Sequence, residues 1–191
     1  MKYEAKDVAK FIVNYANSKG KFVNNTMVNI ILYYLQGFSY ICYNKPLFQD
    51  DFEAWAYGPR IPEVYTLFSM FGLEKIRPYN EVWDLFFYKK VENINYREGF
   101  SERIADFLEI NVTNLLQYTS QELVASTQKK GTAWEKIYED GRKNVIPKSV
   151  MKNYFISTMK GEQKKCLKFG MTTQIKKIWK KLKKLWRLSI G

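Results

Sequence analysis

Three prolines within seventeen residues, Pro46, Pro59 and Pro62, constrain this 191-residue chain more than any other feature. Proline fixes its own φ and biases the residue before it away from the helical region, so no continuous helix can cross this stretch. The segment KPLFQDDFEAWAYGPRIPEVYTLFSMFG, residues 45–72, therefore reads as a rigid elbow. Leu47, Phe52, Ala54 and Ala56 alternate loosely with polar residues, which predicts a short extended segment or hairpin turning at Gly58-Pro59. Pro62 suits the first position of a helix, where its missing N–H costs nothing. Val64, Tyr65, Leu67, Phe68 and Phe71 then fall at helical spacing, and Gly72 is a natural stop.

Helical patterning flanks the elbow on both sides. Residues 4–18 place Val8, Phe11, Ile12, Tyr15 and Ala16 on one stripe, with Lys19-Gly20-Lys21 as the end. Asn24 and Asn25 are N-cap candidates for a long second helix. That helix carries Val28, Ile31, Leu32, Leu35, Phe38, Ile41 and Cys42, is apolar nearly all round, and belongs at the centre of the fold. Gly37 inside it is tolerable if another backbone packs there. Tyr33, Tyr34 and Tyr40 are expected in the core with their hydroxyls reaching the rim. Trp55 and Trp134 are expected to close the elbow from within, and Tyr57, Arg60 and Tyr65 to be more exposed beside the turn. The aromatic run Val82–Tyr88 fits either a helix or a strand. Ser101–Tyr118 reads as a helix with Ile104, Phe107, Leu108 and Val112 inward. Ser120 is expected to cap the next, Thr132 to cap a short helix over Ala133–Tyr138, and Pro147 to open a last one over Lys148–Thr158.

Several unusual residues recur in a fixed order along this body. A tyrosine-rich helix reaches Gln36-Gly37-Phe38, followed by Pro46-Leu47-Phe48 and an acidic-x-Ala-Trp segment ending at Trp55. Tyr57-Gly58-Pro59, Pro62 and Val64-Tyr65 follow, then Leu123-Val124, Thr127, Thr132-Ala133-Trp134 and a helix over 146–155. Over residues 3–156 this pattern resembles the Panacea domain, the SocA-like and GepA-like antitoxin-associated proteins of bacteria, plasmids and phages. The resemblance implies a non-enzymatic antitoxin of a toxin–antitoxin system, which neutralises a co-encoded toxin by direct protein–protein binding. A protease-delivery adaptor is a variant of that class. Two departures stand out: many relatives carry histidine where this chain has Gln128, and Pro-Trp where it has Ala133-Trp134.

No catalytic constellation emerges from the residues themselves. The chain contains no histidine, and so lacks the commonest general base, metal ligand and triad member. It has no phosphate-cradling glycine loop and no Cys-x-x-Cys, so neither enzyme activity nor a cofactor or metal is expected. Cys42 and Cys166 read as free thiols of a reducing cytoplasm, and Met1 leads into a charged amphipathic helix rather than a secretory signal. Asp50, Asp51, Glu53, Tyr57, Arg60 and Tyr65 are the candidate partner-binding residues: acids, an arginine and tyrosines gathered on a proline-stiffened turn. Exposed acids contribute little to stability, so Asp50 and Asp51 are expected to tolerate charge reversal.

The net charge of +12 is concentrated at one end. Residues 159–191 hold ten lysines, one arginine and one glutamate, net +10, leaving +2 for residues 1–158. A nearly neutral body argues against nucleic acid as its partner. At about 100° per residue, Ile175, Ile178, Trp179, Leu182, Leu185 and Trp186 share one arc of a helix. Lys176, Lys177, Lys180, Lys181, Lys183, Lys184 and Arg187 occupy the other. Such a face docks on its own body, a membrane surface or an acidic partner, with Lys176, Trp179, Lys180, Lys183 and Trp186 as the contacts. The competing functional class is thus a phage- or mobile-element-encoded interaction protein acting through this tail. The fold expected is mainly α: a compact multi-helix domain over 1–158 with a small β or extended elbow, plus a basic amphipathic C-terminal helix over 159–191.

Overall fold

The computed structural model describes residues 3–78 and 94–158. The aromatic run at 82–88, Cys166 and the whole tail, with Lys176, Trp179, Lys180, Lys183 and Trp186, lie outside the described residues. Within them the chain forms α1 (Ala5–Ser18), α2 (Asn25–Tyr43), β1 (Phe52–Trp55), β2 (Gly58–Arg60) and α3 (Pro62–Leu67). A 3-10 turn at Ser69–Phe71 follows, then α4 (Glu102–Leu115), α5 (Ser120–Thr127), β3 (Val145–Ile146) and α6 (Lys148–Thr158). The mainly helical expectation holds, with one small sheet in the order β2-β1-β3, antiparallel throughout.

The central position of α2 follows from its composition. Seven of the twelve largest fully buried side chains (Ile30, Ile31, Leu32, Tyr33, Leu35, Phe38 and Ile41) sit on it, so the other elements are arranged as its coat. Helices α1, α3, α4, α5 and α6 all pack against it, as does β2. Each such side chain contributes about 1.5–3 kcal/mol on burial, which outweighs the modest helix propensity of an Ile- and Tyr-rich segment. Asn24 caps the helix by accepting from the Met27 N–H at 2.9 Å, and Asn44, at φ 57°, ends it in the left-handed conformation that asparagine tolerates.

A polar stripe on this apolar helix fixes the elbow. Asn25, Asn29 and Gln36 lie within about 40° of one another around the axis. The Gln36 Oε1 accepts from the Leu47 N–H at 2.7 Å and the Phe48 N–H at 3.3 Å, while its Nε2 donates to the Phe48 carbonyl at 2.9 Å. Asn29 Oδ1 accepts from the Ile61 N–H at 3.0 Å, and Asn25 Nδ2 donates to the Tyr65 carbonyl at 2.8 Å. Non-helical backbone pressed against a buried helix must find partners for its N–H and C=O groups. These three amides provide them at both ends of the elbow.

Gly37 answers to a different neighbour than the backbone expected of it. The ring of Phe155, from α6, fills the notch so closely that a Cβ on residue 37 would lie 2.3 Å from its Cζ. Tyr33, Tyr34 and Phe38 surround that ring with centroids 5.4–6.1 Å away, and α6 is thereby locked onto α2. Tyr33, Tyr34 and Tyr40 are in the core as expected, but the Tyr33 and Tyr34 hydroxyls do not reach a rim. Tyr34 meets Ser126 Oγ at 2.7 Å, whereas the Tyr33 hydroxyl is buried near the Trp134 backbone N–H without a well-formed hydrogen bond. Cys42 is buried and forms no disulfide among the described residues.

Three boundaries differ from expectation. Helix α5 is capped by Thr119, one residue earlier than Ser120, in a full capping box: Thr119 Oγ1 accepts from the Glu122 N–H, and Glu122 Oε2 accepts from the Thr119 N–H. Residues 133–138 form successive turns rather than a helix, although Thr132 Oγ1 does accept from the Glu135 N–H. Residues 145–146 form β3 against β1, so Ile146 is not helical; the helix begins after Pro147. No helix of the described residues is long and apolar enough to cross a membrane.

Candidate functional site

The elbow is a hairpin with a two-residue turn: Trp55 pairs with Gly58, and Ala56-Tyr57 form the turn, two residues before the expected Gly58-Pro59. Gly58 has φ 93° and lies under Thr127, whose Oγ1 would be 3.0 Å from any Cβ added there, so the turn is both left-handed and closely packed. Two bonds from the other side of the molecule hold it. Trp134 Nε1 donates to the Trp55 carbonyl at 2.9 Å, and Gln128 Nε2 donates to the Ala56 carbonyl at 2.7 Å. Gln128, at the position where the resemblance expects histidine, is thus a hydrogen-bond clamp on the hairpin. The tip is presented rigidly, with Tyr57 74% exposed.

The six residues expected to form one surface divide between two concavities. Asp50, Asp51 and Glu53 line an acidic groove with Gln49, Pro62, Glu63 and Val145. Tyr57, Arg60 and Tyr65 line a cavity of about 530 Å³ with Trp55, Tyr138, Arg142 and Lys143. The outer face of β1 separates them, and Glu53 Oε2 accepts from Trp55 Nε1 at 2.7 Å across that border. A larger concavity of about 610 Å³ lies between α1 and residues 95–100. Its lining mixes Asp7, Lys10 and Glu98 with core rings such as Phe11, without convergent charge, so the elbow cavity is the better-defined chemistry.

Within the cavity two assignments change. Arg60 was expected near the surface but is 3% exposed. Its Nη2 donates to Thr26 Oγ1 at 3.1 Å and its Nη1 reaches the Thr26 and Pro59 carbonyls at 3.5 and 3.4 Å. No carboxylate pairs with it among the described residues, and burial lowers its pKa to about 10. Trp55 was expected in the core but is only half-buried, with the Tyr65 ring 4.9 Å and the Lys143 ammonium 4.0 Å from its centroid. Trp134 is buried as expected. Tyr57 and Tyr65 are exposed as expected, Tyr65 at 36%.

The acids are not free either. Asp50 Oδ2 accepts from the Ala5 N–H at 3.0 Å, which ties the start of α1 to the elbow and makes this acid structural, contrary to expectation. Asp51 forms an exposed ion pair with Lys148. Sequence reasoning missed Tyr138, Arg142 and Lys143 altogether. They reach the cavity because β3 pairs with β1 and carries the preceding loop alongside, a juxtaposition the linear pattern does not contain.

Fold and site together define a helical domain built on one buried central helix, which presents a clamped hairpin flanked by an acidic groove and a cationic, aromatic cavity. A model of the family described as "Antitoxin SocA-like, Panacea domain" matches residues 30–135, more than half of the chain, and the chain belongs to that family. The matched span runs from within α2 through the hairpin to just past Trp134, so it contains Gln36, Gln128 and Trp134 of the residues that hold the elbow, while Asn25 and Asn29 precede it. No curated protein matches the chain, and no solved structure does.

Proposed function

We propose that this chain is an antitoxin that neutralises a co-encoded toxin by direct protein–protein binding in the cytoplasm, with no catalysis of its own. The observation that carries the reading is the match to the antitoxin family over the segment that builds and clamps the hairpin. Occlusion needs a surface fixed before binding, because a preorganised loop gives up less entropy than a floppy one. The hairpin meets that need: Gln36, Asn29, Gln128 and Trp134 hold its backbone, and Tyr57 stands out at its tip. Exposed tyrosines on a fixed backbone are efficient interface anchors.

The test is co-expression of the chain with the product of the neighbouring toxin-like reading frame, read by growth and by co-purification. Rescue together with a stoichiometric complex is expected. Rescue without a complex, or with the toxin degraded, would replace occlusion with protease delivery. No rescue would remove the antitoxin assignment.

A further inference from the structure

Among the described residues, the elbow cavity is lined by three cations, Arg60, Arg142 and Lys143, and by no carboxylate. Glu139 pairs with Arg142 at 3.0 Å, Asp140 accepts from the Tyr138 hydroxyl at 3.0 Å and Glu53 accepts from Trp55 Nε1 at 2.7 Å, so these three acids already have partners, and none is among the described residues that line the space. Among the described residues, Arg60 and Lys143 form no ion pair with a carboxylate. Burying a guanidinium against only a hydroxyl and carbonyls is costly, and a carboxylate arriving from outside would offset part of that cost. The walls are aromatic and amphipathic: Trp55, Tyr57, Tyr65 and Tyr138. A partly open, mostly apolar hollow with a few convergent charges suits a small charged group.

We propose that this cavity receives a carboxylate side chain from the bound protein, with Arg60 and Lys143 as its counter-charges and Tyr57 and Tyr65 covering the flanking residue. The identity of the partner as a protein rests on the direct-binding reading above. The geometry favours a side-chain carboxylate over a nucleotide base. Tyr65 and Lys143 already lie against the Trp55 ring and its Nε1–H is given to Glu53, so the indole is partly engaged before an incoming ring could stack on it. Its work is to position the Lys143 ammonium over the cavity through a cation–π contact. Arg60 offers a planar fork suited to a carboxylate from a side chain that its own bonds to Thr26 hold still. The adjacent acidic groove discourages a partner that is negatively charged throughout, so the fitting segment carries one acid beside neutral or basic residues.

The experiment uses the full chain labelled with fluorotryptophan, its Trp55 resonance assigned through Trp55→Phe, and fluorine NMR. The probes are a capped Gly-Glu-Phe-Glu-Gly peptide, the same peptide with both glutamates replaced by glutamine, inorganic phosphate and adenosine monophosphate. The acidic peptide is expected to shift the Trp55 resonance with a Kd of about 1 mM, and the glutamine peptide to bind about tenfold more weakly or not at all. Lys143→Glu, an exposed position, should abolish the shift without altering the melt, and Arg60→Met should weaken binding about tenfold. Equal binding of the two peptides, or none by either, overturns the proposal. Tighter binding of phosphate or adenosine monophosphate overturns it in favour of a phosphate site. A chain that binds the acidic peptide but not its co-encoded toxin removes the proposed function and leaves the cavity assignment standing. Toxin binding that survives both Lys143→Glu and Arg60→Met does the reverse.

Discussion

Replacing Gln36 by leucine removes the one side chain that serves three hydrogen bonds at the start of the elbow. The isostere keeps the volume and the helix propensity, so the loss is confined to polar pairing. The Leu47 N–H and the Phe48 carbonyl lose partners at 2.7 and 2.9 Å, and the weaker 3.3 Å contact to the Phe48 N–H goes as well. Leu47, Phe48 and Gln36 are all essentially without solvent exposure, so water cannot replace the lost bonds without opening the core. At about 1–3 kcal/mol for each orphaned buried group, two such groups predict a loss of about 2–6 kcal/mol. That is a large share of the roughly 5–15 kcal/mol that stabilises a typical domain. With a urea slope of about 2 kcal/mol per molar, the midpoint should fall by about 1–3 M. Urea denaturation followed by far-UV circular dichroism measures this directly. A midpoint within about 0.3 M of the parent would show that the elbow is not held by this amide, and the account of the central helix would fail.

Gly37→Ala should destabilise by about 1–3 kcal/mol through overpacking against Phe155, despite a propensity gain of about 1 kcal/mol; in a Phe155→Leu background the same change should become neutral or stabilising, and additive melts would refute the notch. Asp50→Lys should cost about 2–4 kcal/mol by breaking the bond to the Ala5 N–H and reversing charge at the start of α1, whereas Asp51→Lys should cost only about 0–1 kcal/mol; equal effects in thermal melts would contradict the distinction. Burial raises the pKa values of Tyr33, Tyr34 and Tyr154, so the folded state keeps them protonated where the unfolded chain ionises. Their contribution is therefore intact below about pH 10 and lost as pH rises beyond it, while Arg60, lowered to about 10, pulls weakly the other way. Urea midpoints should decline from pH 9 to 11, less steeply in Tyr34→Phe, and a flat profile would oppose the burial of these hydroxyls.

Much of the scaffold was legible in the chain because it rests on local rules. Prolines at 46, 59 and 62 forbid helix and permit only an elbow, and the all-round apolarity of residues 25–43 places that helix at the centre. The Thr119–Glu122 capping box was legible too, and lay one residue before the position read as the cap. What escaped depends on partners distant in sequence. A two-residue strand has no periodicity, so β3, and with it the arrival of Arg142 and Lys143 at the cavity, appears only once Phe52 and Ile146 are paired. The burial of Arg60 runs against the usual placement of arginine, and the Thr26 hydroxyl with the Thr26 and Pro59 carbonyls accounts for it. Gly37 had a visible cost in the sequence but no visible cause, because Phe155 lies more than a hundred residues away. The acids and tyrosines of the elbow looked like one patch because they are close in sequence. They lie at opposite ends of β1, the acids at its start and the tyrosines and Arg60 at and beyond its turn, and so line two different hollows.

The central claim, recognition of a toxin through the clamped elbow, is tested most directly by hydrogen–deuterium exchange of the full chain alone and in complex with its co-encoded toxin. The account predicts new protection concentrated on residues 55–65 and 138–143, with α1 and α4 unchanged. Protection confined to residues 159–191, with the hairpin exchanging as in the free chain, would contradict it and place recognition in the basic tail.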